Sequence, residues 1–101
     1  MLPYVFTENA LADIIKGFSF YEEKQKGLGI RFMDEVDQAA KEIADLPTGY
    51  ASYYKTTRER GIKSFPYKLI YTVEKQSIYI HAIYPCRANP KKKYKAIKRR
   101  K

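Results

Sequence analysis

Three kinds of side chain in this sequence are suited to acting on an anionic partner. The first is cationic. Arg87 follows the last apolar stretch, with Lys91, Lys92, Lys93 and Lys95 close behind it, and Arg58, Arg60, Lys63 and Lys68 come before it. A guanidinium grips two phosphate oxygens at once, while lysines act as point charges along a phosphate backbone. The second kind carries protons: Glu59 stands between Arg58 and Arg60, and His81 is the single histidine. The third is aromatic, with 10 tyrosines, Tyr94 among them, against 5 phenylalanines and no tryptophan. Tyrosine stacks on nucleobases, and it equally suits a half-buried strand with a wet hydroxyl. Each group also has a structural reading. Arg87 would pair with a carboxylate on the rim, His81 would sit mid-strand among apolar residues, and Tyr94 with Ile97 would anchor a short basic helix. Cys86, the lone cysteine, has no base at an evident spacing and cannot form an internal disulfide or a cysteine-based metal site.

Charge is divided along the chain. Residues 1–52 sum to −4 and residues 53–101 to +13, giving the overall +9. Eight of the last eleven residues are Lys or Arg and none is acidic. A field this one-sided favours nucleic acid, an acidic protein segment or a membrane surface as partner, although a basic end also serves simply to keep a chain soluble. No apolar run approaches the roughly 18–20 residues of a membrane span, and no basic leader precedes an apolar stretch, so a cytoplasmic location is expected. With 101 residues, 45% of them hydrophobic, the chain makes one domain with one core.

The elements that must position these residues follow from the apolar period. Residues 3–6 read as a first strand, and Thr7 or Asn9 can cap the helix after it. Leu11, Ile14, Ile15, Phe18 and Tyr21 recur at helical spacing, with Gly17 a mild weakness among them. Gly27-Leu28-Gly29 breaks the pattern, and Phe32, Val36, Ala39, Ala40, Ile43 and Leu46 resume it until Pro47 and Gly49. The period then becomes two. Segment 53–60 is one polar strand. Segment 63–74 places Phe65, Tyr67, Leu69, Tyr71 and Val73 on one face and Lys68, Ile70 and Thr72 on the other. Lys75-Gln76 turns the chain into 77–84, with Ile78, Ile80 and Ala82 on one face and Tyr79, His81 and Ile83 on the other; Pro85 ends the ladder. The order β-α-α-β-β-β gives an α+β fold, a helical hairpin packed on an antiparallel sheet.

Residues at these positions resemble a known family. Gly27-Leu28-Gly29 with Phe32, Phe65-Pro66-Tyr67 before Leu69-Ile70-Tyr71, Arg87 two residues before Asn89-Pro90, and Ala10 with Asp13 together resemble the RelE/ParE toxins of bacterial type II toxin–antitoxin systems. The resemblance implies a toxin domain over 1–90, with 91–101 as a basic tail or short helix. It implies no cofactor and no metal, and a cognate antitoxin as partner. That antitoxin is expected to lay an acidic helix or extended stretch over the basic sheet and tail, in a salt-sensitive complex.

Two activities occur in the family, and the fold alone does not choose between them. RelE-like members cut mRNA on the ribosome. Such cleavage needs a base, a phosphate-stabilising cation, an acid and a stacking group. On the RelE pattern Arg87 would contact the scissile phosphate, Tyr94 would stack and Lys68 would contact phosphate, while Glu59 would act as base as a carboxylate does in some relatives. Arg58, Arg60, Lys63, Lys91, Lys92, Lys93 and Lys95 would bind RNA. ParE-like members inhibit DNA gyrase without a nuclease site. This sequence departs from the RelE pattern where paired lysines are expected, placing Glu59 and Gly61 there. Ribosome-dependent cleavage, gyrase inhibition and an inactive chain that only binds antitoxin all stay open at this point.

Overall fold

The computed structural model describes residues 1–49, 52–54 and 56–86. Strand β1 (Tyr4–Phe6) leads into helices α1 (Glu8–Lys24) and α2 (Leu28–Asp45); strands β2 (Ser52–Tyr54), β3 (Thr57–Gly61), β4 (Tyr67–Glu74) and β5 (Ser77–Pro85) follow. Thr7 is the N-cap of α1, its hydroxyl accepting from the Ala10 N–H at 3.2 Å. Helix α2 begins without such a cap. Gly27 is left-handed at φ 89°, a conformation glycine adopts at no steric cost, and it has no capping side chain. Glu22 on α1 does the work instead. Its carboxylate accepts from the Gly27 N–H at 3.0 Å and the Gly29 N–H at 3.0 Å. The bend of the hairpin and the start of α2 are therefore one hydrogen-bonded unit.

Phe32 holds the hairpin to the sheet. It is fully buried, with its ring 5.4 Å from Tyr21, 5.4 Å from Phe65 and 5.1 Å from Tyr67, centroid to centroid. Its ring lies directly over Gly17, where any added Cβ would stand 2.5 Å from Cε2. Gly17, read from the sequence as a weak point, is thus the place where the helices approach. Helix α2 buries Phe32, Val36, Ala39, Ala40 and Ile43 as its spacing predicts, whereas Leu46 falls at the C-cap and is exposed. Helix α1 differs from expectation. It buries Ala10, Ile14 and Gly17 and leaves Leu11 and Ile15 exposed, because close approach to α2 runs along the small residues.

The sheet order is β1-β5-β4-β3-β2. The α+β design and the helical hairpin stand as expected, with three refinements. Segment 53–60 is two short strands, with an irregular register between Ser52 and Tyr54. Strand β4 begins at Tyr67, since Pro66 supplies no N–H to a ladder. Strand β1 joins β5 in parallel, Val5 opposite Tyr79, so the sheet is mixed although β2 to β5 are antiparallel. Lys75 and Gln76, at φ 49° and 64°, form the β4–β5 turn in the positive-φ geometry that suits a two-residue hairpin.

One further correction concerns β5. Tyr71 pairs with Ile80 and Ile70 with Ala82, so His81 is an extra residue, a β-bulge. A one-residue slip exchanges the faces. Ile78 and Ile80 join the helix-side core as expected, but beyond the bulge Ile83 joins them and Ala82 turns away to meet Ile70. Helix propensity alone says Gly17→Ala should stabilise the protein by about 1 kcal/mol. Overpacking against Phe32 reverses the sign, and urea unfolding of Gly17→Ala is expected to show a loss of about 1–3 kcal/mol.

Candidate functional site

The register of β3 against β4 decides where the candidate residues point. Glu59 lies opposite Ile70, while Arg58 and Arg60 lie opposite Tyr71 and Leu69. Tyr71 and Leu69 belong to the helix-side core, and Ile70 to the cluster on the other face. Glu59 and Lys68 therefore share the face away from the helices, and Arg58 and Arg60 the face toward them, as strict alternation requires.

On the far face, Lys68 Nζ donates to Glu59 Oε1 at 2.6 Å. Only 8% of the Glu59 side chain is exposed against 36% for Lys68, so the pair joins a buried carboxylate to a half-open ammonium. On the helix face, Arg60 is bound to Glu42 of α2 and to the Gly61 carbonyl. Glu42 also accepts from Gln38 at 3.2 Å. The Gln38 amide and the Arg60 guanidinium hold the Glu42 carboxyl below its ordinary range. Arg58 Nη1 reaches the Thr48 carbonyl at 3.5 Å. Both arginines thus brace the helical layer and the chain after it. Lys63 is exposed on the β3–β4 loop. That loop is latched to α2: Glu35 accepts from the Ser64 N–H at 2.7 Å, and Arg31 Nη2 donates to Ser64 Oγ at 3.2 Å.

His81 is 3% exposed, and its Nε2 lies 2.8 Å from Thr72 Oγ1. Thr72 gives its single hydroxyl proton to Glu74 Oε2 at 2.9 Å. It must then accept from His81, which places a proton on Nε2. Tyr79 stacks beside the imidazole, 6.4 Å between centroids. Sequence reasoning missed this chain. Thr72 and Glu74 at i, i+2 on one strand face were a visible signal, but the bulge that seats His81 was not. Cys86 is exposed, and its N–H is bound to the Pro66 carbonyl at 2.7 Å. The structure brings together Glu59 and Lys68, two of the four residues expected to carry catalysis. The other two, Arg87 and Tyr94, lie outside the described residues, as do Lys91, Lys92, Lys93 and Lys95.

The family model for the ParE toxin of the type II toxin–antitoxin system parDE matches residues 4–90, from β1 past the end of β5. The chain belongs to the ParE toxin family. Among solved structures, a chain described as the chromosomal ParDE TA system from P. aeruginosa shares its fold. The TM-score is 0.75 at 17% identity, covering 84% of this chain and 96% of that one. None of the curated proteins matches. No helix among the described residues of this ParE-family chain is long and apolar enough to cross a membrane.

The Glu59–Lys68 pair makes a testable claim. Lys68→Met removes the ammonium paired with a buried carboxylate and is expected to cost about 1–3 kcal/mol in chemical denaturation. Adding Glu59→Gln should restore most of it, giving a strongly non-additive double-mutant cycle. Additive losses would show that the two side chains act independently.

Proposed function

We propose that this chain is the toxin of a type II toxin–antitoxin pair and arrests growth by binding a protein target, DNA gyrase, without cutting RNA. The observation that carries the reading is the partnering of the candidate catalytic groups. A metal-independent nuclease needs a proton acceptor and phosphate-binding cations converging on one cleft. Here Glu59 faces Lys68 at 2.6 Å, while Arg58 and Arg60 lie on the opposite side of the sheet, with Arg60 held by Glu42. The absence of paired lysines at positions 59 and 61, and the ParE family match, support the same reading.

Its partner in the resting cell is a cognate antitoxin, and its location is the cytoplasm. The +13 charge of residues 53–101 favours an acidic antitoxin segment. Complex formation should therefore weaken as salt rises.

The test is induced expression in a bacterial host, with transcript ends mapped by primer extension and purified gyrase assayed for supercoiling. Growth arrest, uncut transcripts and inhibited supercoiling are expected. Cuts inside translated codons that vanish in Arg87→Ala would establish ribosome-dependent cleavage instead. Normal growth at full expression would mark a chain that only binds its antitoxin.

A further inference from the structure

We propose that the outer edge of β1 is a self-association site, where two copies of this chain pair β1 with β1 in antiparallel fashion about a two-fold axis at Val5. Such pairing would hold whatever the toxin's target.

The hydrogen bonds of β1 show which backbone groups face outward. The Thr7 N–H donates to the Ile80 carbonyl at 3.0 Å and the Ile78 N–H to the Pro3 carbonyl at 2.9 Å. Odd-numbered residues therefore point into β5, and alternation aims the N–H and C=O groups of Tyr4 and Phe6 the other way. β1 is the outermost strand on that side of the described sheet. Further along, α1 closes the β5 edge. The Thr7 hydroxyl donates to the His81 carbonyl at 3.3 Å, and Asp13 accepts from the Ile83 N–H at 3.1 Å. Among the described residues, what stays open is the window Tyr4-Val5-Phe6. Sheet edges are commonly guarded by an inward lysine, a proline or a bulge, and this window carries none.

The window is symmetric about its own centre. In an antiparallel pair with Tyr4 opposite Phe6 of the second copy, both pairs exchange their main-chain bonds, and Val5 meets Val5 at the closer, non-hydrogen-bonded position. Such an interface closes on itself as a dimer. The side chains suit it. Val5 is 50% exposed, and its cross-strand neighbour Tyr79 is 37% exposed on the same face. On the helix face, Tyr4 and Phe6 already meet edge to face at 6.0 Å and would gain a second aromatic pair. Charge favours this surface too. Two copies at +9 repel, but no charged side chain lies between Leu2 and Thr7. Three residues of edge make a small interface, so the dimer is weak and dissociates on dilution.

The test uses the full chain with Cys86→Ser as background, removing the exposed native thiol. Val5→Cys and, as a comparison, Ile15→Cys (66% exposed in the wild type) are oxidised and run on non-reducing gels. Pairing at β1 predicts that Val5→Cys cross-links on the order of tenfold faster, although Ile15 is the more open position. Sedimentation of the wild type should show mass rising with concentration, and Val5→Lys, which sets like charges face to face, should abolish the rise. Equal cross-linking rates, or a monomer mass at every concentration, would overturn the proposal.

Discussion

The extra residue that β5 carries at His81 decides which side chains meet the helices. Before it, Ile78 and Ile80 face the helical layer; after it, Ile83 does, and Ala82 is turned to the far face beside Ile70. A strand face inverts with a single-residue slip. Without the bulge, alternation from Ile80 would set Ala82 toward the helices and Ile83 away. At the bulge, His81 lies against Thr72, which is linked in turn to Glu74. The Ile83 N–H beyond the bulge is taken by Asp13 of α1, which ties the first helix to the last strand.

Register has the same force on β3. Because Glu59 stands opposite Ile70, it falls on the far face with Lys68, and the flanking arginines fall on the near face. The near-face arginines then have structural work: Arg60 binds α2 through Glu42, and Arg58 reaches the chain just after α2. Among the described residues, positive charge in the second half is thus not one field. Part of it braces the helices, part neutralises a buried carboxylate, and among Arg58, Arg60, Lys63 and Lys68 it is Lys63 that is exposed. Arg58 and Arg60 thus hold the sheet to the helical layer, while Lys68 is paired with Glu59 on the far face.

Much of the architecture was legible in the sequence because periodicity reports burial. The stripe from Phe32 to Ile43 gave α2 and its buried face, and the Tyr67–Val73 alternation gave the faces of β4. The separation of Glu59 from Arg58 and Arg60 was legible for the same reason. Three features were not. Leu11 and Ile15 have helical spacing but stand outside the contact, since Gly17 draws Phe32 inward along the small residues. The bulge leaves no mark in an apolar pattern that accepts Ala82 or Ile83 equally. The parallel pairing of β1 with β5 joins residues more than seventy positions apart, which no local pattern encodes. For the candidate site, strand alternation told which face each residue takes, but not that Glu59 would be buried against Lys68 or that Glu42 would claim Arg60.

The central claim is that Glu59 and Lys68 form a structural pair and take no part in chemistry. The most direct measurement is growth arrest by the double variant Glu59→Gln, Lys68→Met, expressed at wild-type level and verified as folded by circular dichroism. Arrest equal to that of the wild type is the result this account predicts. A folded double variant that no longer arrests growth would contradict it and return the far face of the sheet to the role of active site.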